Sequence, residues 1–172
     1  MKLATYLPLS GPARPGVVDI AKQEILDLPA AAVAEGLGAP PELASLLALI
    51  EAGPRWLDRV FDLARRWTAE AALPLADARL LSPLPVPAQM RDCLVFEEHL
   101  RNSQAQWAQM TGKPAADIAQ VWYERPTWYK CNRFSVVGHE ADVIWPPYAE
   151  LMDFECELAC VIGRQGRDIA AG

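Results

Sequence analysis

The chain has 172 residues, of which 52% are apolar and 22% are charged, and its formal net charge is −6. This composition is typical of a globular protein and excludes collagen-like, disordered and disulfide-scaffold classes. A negatively charged chain without a block of Lys and Arg cannot neutralise a run of phosphates, so we expect no nucleic-acid partner. The longest apolar stretch is far shorter than the ~20 residues of a membrane span, so we expect no membrane partner either.

The four cysteines show neither paired nor zinc-like spacing. If Cys156 and Cys160 lay on one strand, their Cα atoms would be too far apart for a disulfide bond. We therefore expect reduced thiols and a cytoplasmic location.

The first third of the chain predicts short strands over Lys2–Leu7 and Gly16–Ile20, followed by a helical hairpin. Apolar residues at i, i+3, i+4 and i+7 predict a helix that ends at Gly53, and Pro54 suits the first position of a second helix. The two stripes that we expect to be buried are Leu43, Leu46, Leu47 and Ile50 in the first helix and Leu57, Val60, Phe61 and Ala64 in the second.

Residues 82–88 contain three prolines at alternate positions, which forbid a helix and favour an extended connector. This predicts a small N-terminal α+β domain over residues 1–81 and a second domain over residues 82–172. In the second domain we expect a helix over Glu97–Gly112. Short strands should follow it, because turn residues separate several β-prone runs. These runs are Thr127–Lys130, Phe134–Val137, Val143–Trp145 and Met152–Gly163.

Carboxylates alternate with apolar residues along residues 151–163. On a strand, Glu155 and Glu157 would share one face with Cα atoms about 6.6 Å apart, so they could converge on one hard cation such as Mg²⁺ or Mn²⁺. The apolar run Leu158–Ile162 predicts that this strand enters a core, where carboxylates without a cation would be costly. The alternative is an amphipathic edge strand whose acids face solvent.

His99 is one of two histidines and follows Asp92 by seven residues. Imidazole is the usual general base near neutral pH, which makes His99 a candidate base. Because two Glu residues precede it, the alternative is an exposed, salt-bridged surface group. His139 lies in a predicted turn, where a surface position is favoured.

From about Leu80 onward, the order of these features resembles the first part of the catalytic domain of the fumarylacetoacetate hydrolase family. The opening Met1–Tyr6 is also similar to bacterial members that have a small N-terminal domain. The resemblance implies an α+β fold in which residues 82–172 form the first part of a mixed β-sandwich or β-roll. The matching pieces are the proline-rich residues 81–87, Asp92 with His99, Pro126–Lys130, Asp153–Leu158 and Val161–Arg164.

The resemblance implies a divalent-metal-dependent hydrolase or lyase that cleaves C–C bonds in small 2-oxo or 1,3-dicarbonyl acids, such as fumarylacetoacetate or acylpyruvates. Decarboxylation of an oxaloacetate-type acid and isomerisation are the alternatives within the family. It assigns Mg²⁺ or Mn²⁺, with Ca²⁺ as a further option, to Asp92, Glu155 and Glu157. It assigns the role of base on a water molecule to His99. The substrate-pocket residues that it implies are Tyr129 and Lys130.

Two departures from the family pattern affect these expectations. Decarboxylase- and acylpyruvase-like members carry a Glu three residues after the histidine, where this chain has Asn102, so we expect the carboxylate partner to come from Glu98 or from outside the chain. No counterpart of the family's later metal-binding Asp, substrate-binding Lys or second half of the roll is present. We therefore expect a fragment, a split gene product or a different function. The alternative function is a catalytically silent structural subunit, and we expect the chain to associate as a homo-oligomer or with a complementary C-terminal half.

Overall fold

In the computed structural model, which describes residues 1–170, the chain is an α+β structure. It has two compact units, one formed by Met1–Pro85 with the segment from Val136 onward and the other by Val86–Ser135. The predicted division at residue 82 stays a prediction. The strands are β1 (Lys2–Pro8), β2 (Arg14–Asp19), β3 (Glu24–Asp27), β4 (Ala72–Pro74), β5 (Ala78–Leu80), β6 (Arg91–Cys93) and β7 (Trp128–Lys130). The α-helices are α1 (Leu28–Ala34), α2 (Leu46–Ala52), α3 (Pro54–Arg66), α4 (Glu97–Thr111) and α5 (Gln120–Glu124).

The first unit contains an antiparallel five-stranded sheet in the order β4-β3-β2-β1-β5. Strands β1 and β2 confirm the two strands predicted from the sequence. The register places Leu3 opposite Val17 and Val17 opposite Leu26, so the three side chains share one face. That face packs on the hydrophobic core that helices α1, α2 and α3 complete.

Helices α2 and α3 confirm the predicted hairpin. The Ser45 side chain accepts a hydrogen bond from the Ala48 amide at the start of α2, and Gly53 ends the helix at a φ of 79°, directly before Pro54. The predicted stripes are partly wrong, because Leu47 and Phe61 are exposed. A short 3₁₀ turn at Pro41–Leu43 precedes α2 and shifts the phase of the stripe by interrupting the helical repeat. The buried side chains of the hairpin are Leu46, Leu49, Val60 and Leu63.

The opposite face of the sheet carries a buried polar cluster centred on Asp27. Its Oδ2 accepts hydrogen bonds from the Tyr6 hydroxyl at 2.6 Å and from Arg14 Nη1 at 3.0 Å, and its Oδ1 caps α1 by accepting from the Ala30 amide at 2.8 Å. Gly16 leaves room beside this cluster, because a Cβ there would lie 2.7 Å from Ile25 Cγ2 and 3.0 Å from both the Leu26 carbonyl oxygen and the Tyr6 ring. Burial first, and the hydrogen bond and charge of Asp27 next, raise the pKa of Tyr6.

The second unit joins a strand pair to two helices. Strand β7 confirms the prediction for Thr127–Lys130 and pairs with β6, and α4 confirms the helix predicted over Glu97–Gly112, ending at Gly112 with a φ of 68°. None of residues 86–135, all of which the structure describes, is buried. Hydrogen bonds, more than a buried core, therefore define the geometry of this unit.

Three strand predictions are wrong. Residues 131–170 form no helix or strand, although strands were predicted over Phe134–Val137, Val143–Trp145 and Met152–Gly163. The expected entry of the last strand into a core is also wrong, because Leu158 is 95% exposed. An alternating sequence becomes a strand only when a neighbouring strand pairs with it, and the described part of this segment has no such neighbour. The β-roll of the family therefore stays a prediction.

In residues 1–170 no helix combines the length and the apolar character needed to cross a membrane.

Candidate functional site

Glu155 and Glu157 lie in an irregular, exposed segment of the first unit. Their carboxylate oxygens are nonetheless within 4.8 Å of one another, so the convergence that the spacing predicts is present without a strand. The burial that would have made a cation necessary there is absent, because both side chains belong to exposed residues. What supports a metal at this pair is the geometry of its oxygens and their chemistry.

The two carboxylates fit a divalent cation. Oxygen ligands lie about 2.0–2.6 Å from Mg²⁺ or Ca²⁺, so two oxygens on one ion are at most about 4–5 Å apart. The separation within 4.8 Å meets the limit of about 5.2 Å for Ca²⁺, whereas two oxygens on Mg²⁺ lie at most about 4.2 Å apart. Carboxylates are also the ligands that hard cations such as Mg²⁺ and Mn²⁺ prefer.

Asp92 lies on strand β6 of the second unit, directly opposite Tyr129 on β7. Residues that are paired across two antiparallel strands face the same side, so Asp92 and Tyr129 share one face of the strand pair. Lys130 is paired with Arg91 and faces the other side. The structure therefore brings one of the two predicted pocket residues, Tyr129, beside a predicted metal ligand.

His99 belongs to the first turn of α4 and is exposed, so water can reach it. Three residues connect the end of β6 to the start of α4, so Asp92 on the strand and His99 on the helix lie on either side of a short connection. Asn102 lies on α4 three residues after His99 and is exposed. The i, i+3 spacing makes the two residues neighbours on the helix surface. An amide at this position cannot accept a proton in the way that the family's Glu does.

A charged cluster at the start of α4 was missed by sequence reasoning. Glu97 Oε1 accepts hydrogen bonds from Arg101 Nε at 2.9 Å and from the Tyr123 hydroxyl at 2.9 Å. The bond from Arg101 first, and that from Tyr123 next, hold the pKa of the Glu97 carboxyl below its usual range. The i, i+4 spacing of Glu97 and Arg101 was a signal for their ion pair. No sequence signal points to Tyr123, which is 26 residues away.

No curated protein shows significant similarity to the chain. Residues 90–172 match the family described as fumarylacetoacetate (FAA) hydrolase C-terminal. The matched range contains the predicted base, the predicted metal ligands and the predicted pocket residues, and it begins two residues before Asp92. The resemblance inferred from the motifs is therefore confirmed for residues 90–172, which are similar to the fumarylacetoacetate hydrolase family.

Proposed function

We propose that the chain is a divalent-metal-dependent hydrolase or lyase that cleaves C–C bonds in 2-oxo or 1,3-dicarbonyl acids of the fumarylacetoacetate or acylpyruvate type. The match of residues 90–172 to this family suggests hydrolase or lyase chemistry. The observation that carries the finer proposal is the Glu155–Glu157 pair inside the matched range, whose carboxylate oxygens lie within 4.8 Å. Family members typically depend on a divalent metal, and this pair has the donor chemistry for one.

Glu155 and Glu157 would hold Mg²⁺ or Mn²⁺, with Ca²⁺ as a further option, and the family motif adds Asp92 as the third ligand. When bound, the ion supplies positive charge that polarises the oxo and carboxylate oxygens of a dicarbonyl acid and stabilises the enolate released on cleavage. Tyr129, which shares a face with Asp92, would donate its hydroxyl hydrogen to a substrate oxygen. Lys130 remains a candidate for the substrate carboxylate, although it shares its face with Arg91.

His99 would act on the water that attacks the carbonyl carbon. Its imidazole accepts a proton from that water, which leaves hydroxide character on the oxygen that forms the new C–O bond. The C–C bond then breaks, its electron pair passes to the departing enolate, and the imidazolium can return the proton to that enolate. The exposure of His99 supports this role, because a general base for water must be reachable by water.

Calorimetry with Mn²⁺ tests the metal site. We expect Glu155→Gln and Glu157→Gln each to weaken binding at least tenfold, because each removes a charged oxygen ligand while keeping the side-chain volume. Glu150→Gln is the matched control, because Glu150 is an exposed acid of the same segment outside the predicted ligand set. Equal binding by the wild type and both variants would contradict the proposal.

Kinetics with an acylpyruvate test the base. His99→Gln keeps hydrogen bonding but removes the base, so kcat should fall by roughly 10²–10⁴-fold. Mn²⁺ affinity should remain at the wild-type value, and His139→Gln serves as the control. Incorporation of ¹⁸O from labelled water into the acid product separates hydrolysis from decarboxylation, which needs no attacking water.

A second candidate function is that of a catalytically silent structural subunit. The observation that favours it is the row of exposed apolar side chains in the irregular segment, since large exposed apolar surfaces commonly mark contacts with another chain. We propose a homo-oligomer or a complex with a complementary chain, which native mass spectrometry at low micromolar concentration would detect. A monodisperse monomer would count against it. The most exposed of these side chains are Ile144, Tyr148, Phe154, Leu158 and Ile162.

A further inference from the structure

Helix α5 presents two adjacent aromatic side chains to the connection between β6 and α4. The indole Nε1–H of Trp122 donates to the Leu94 carbonyl at 2.8 Å, and the Tyr123 hydroxyl donates to Glu97 Oε1 at 2.9 Å. The two rings meet edge to face, with centroids 4.8 Å apart. Aromatic pairs favour this edge-to-face arrangement, so the contact between the two rings supports both hydrogen bonds.

Leu94 is held on both sides of its backbone. Its carbonyl accepts from Trp122, and its amide donates to the Thr127 carbonyl at 3.0 Å, directly before β7. Glu97 is the first residue of α4, so the bond from Tyr123 acts on the helix at its start. The connector from Leu94 to Glu97 is consequently fixed at both ends by groups that lie later in the chain.

These hydrogen bonds are important for the orientation of α4, because this unit has no buried core that could fix the helix instead. Within residues 86–135, all of them described, no side chain is buried, so packing contributes little to the direction of α4. A hydrogen bond restricts direction as well as distance, and two bonds to consecutive parts of a short connector define an orientation. Asp92 lies on β6 two residues before this connector, and His99 lies on α4 two residues after it.

We propose that Trp122 and Tyr123 are positioning residues for His99, which fix the first turn of α4 relative to strand β6. The proposal rests on the proposed function for the role of His99 as the base. The contacts that fix the first turn of α4 do not depend on whether His99 is a base. Misplacing a catalytic group by about 1 Å can lower turnover by about two orders of magnitude, so partial loosening of the connector should be visible in kcat.

The test uses Trp122→Phe, Tyr123→Phe and the double variant in the full chain. Each keeps an aromatic ring and removes one donor hydrogen. Trp107→Phe and Tyr148→Phe are the matched controls, because they make the same changes at half-exposed or exposed positions. The first readout is the set of imidazole NMR shifts at fixed pH, where His139, which belongs to the other unit, serves as the internal reference.

We expect the double variant to move or broaden the His99 imidazole signals while those of His139 stay in place. The Leu94 amide keeps its bond to the Thr127 carbonyl in Trp122→Phe. Its exchange should nevertheless be about threefold to tenfold faster, because the loss of the bond from Trp122 to the Leu94 carbonyl makes local opening of the connector easier. On an acylpyruvate, kcat should fall about threefold to tenfold with KM within twofold. Neither control should have any of these effects.

Unchanged His99 signals in the double variant would overturn the proposal, and so would faster exchange at Leu94 without any change at His99, since that result shows a purely structural contact. If the wild type cleaves no oxo acid but the His99 signals respond as expected, the positioning role stands and the proposed reaction fails. The two failures are therefore distinguishable.

Discussion

Residues 1–85 and residues 86–135 are built in opposite ways. The first region buries Leu26, Leu49 and Val60 completely between a sheet and three helices. The second has no buried residue anywhere in its range, which the structure describes in full, and it is organised by hydrogen bonds around α4 and α5. The family match begins at residue 90, so Asp92, His99 and Tyr129 all belong to the second region.

The residues that determine folding stability and the residues proposed for chemistry therefore lie in different regions of the chain. A buried core tolerates little change in volume, whereas groups on exposed elements can be altered without a large loss of folding free energy. Exposed elements also allow water and a small acid to reach the candidate base. We therefore expect substitutions in the first region to act on the free energy of unfolding and those in the second to act on turnover.

The largest expected effect on stability is that of Leu26→Ala. Leu26 is 0% exposed and its side chain lies in the main core, so its truncation should lower the free energy of unfolding by about 2–5 kcal/mol. The matched variant Leu100→Ala, on α4, should lower it by much less, because Leu100 is only partly buried. Urea unfolding followed by circular dichroism measures both. Equal losses would show that residues 86–135 contain a core after all.

Tyr6→Phe should have the next largest effect. It removes the hydroxyl that donates to Asp27 at 2.6 Å, and hydrogen bonds to charged groups contribute about 1.5–3 kcal/mol. Asp27 keeps its bonds from Arg14 and from the Ala30 amide, so the carboxylate is not left without partners.

The Tyr6 effect should also depend on pH. Because the folded protein raises the pKa of Tyr6 above its unfolded value of about 10, the wild type holds the full contribution below pH ~10 and loses it as the pH rises through the folded pKa. Tyr6→Phe should flatten this alkaline decline in urea unfolding curves. Tyr148→Phe, at a side chain that is 87% exposed, should leave it unchanged. A decline of equal steepness in Tyr6→Phe would assign it to other groups.

The elements that the sequence predicts correctly are those specified by local chemistry. The Gly53-Pro54 boundary follows from backbone conformation alone, and so does the end of α4 at Gly112. The convergence of Glu155 and Glu157 is also local, because two residues separated by one neighbour can approach in several backbone conformations.

The parts that were not predictable depend on distant partners. Alternation over Met152–Gly163 indicates which side chains would share a face, but it does not indicate whether a second strand pairs with them. The short strand β3 was missed because its last residue, Asp27, has a role that is visible only once Tyr6 and Arg14 are beside it. The same holds for Tyr123 and Glu97, whose contact joins two helices.

The smallest expected effect on stability is that of Arg101→Gln, on the exposed side of α4. The Arg101–Glu97 pair is exposed to solvent, so salt and water screen it and its loss should not measurably shift the urea midpoint. The pKa of Glu97 should nevertheless rise toward its ordinary value, because Arg101 is the main cause of its lowering. A carboxyl whose pKa is lower in the folded than in the unfolded protein stabilises the folded state at pH values above the unfolded pKa. This contribution disappears as the pH falls through the folded pKa.

Any contribution of the pair is therefore present at neutral pH and is lost at acidic pH. A ¹³C NMR titration of the Glu97 carboxyl in the wild type and in Arg101→Gln would measure the change in its pKa. Repeating the wild-type titration in about 1 M salt should reproduce only part of the effect of the substitution, because salt screens the charge of Arg101 and leaves its hydrogen bond in place. A midpoint shift as large as that of Tyr6→Phe would contradict the contrast between the two regions. It would mean that the exposed ion pair at the start of α4 stabilises residues 86–135 as strongly as a buried hydrogen bond stabilises the sheet.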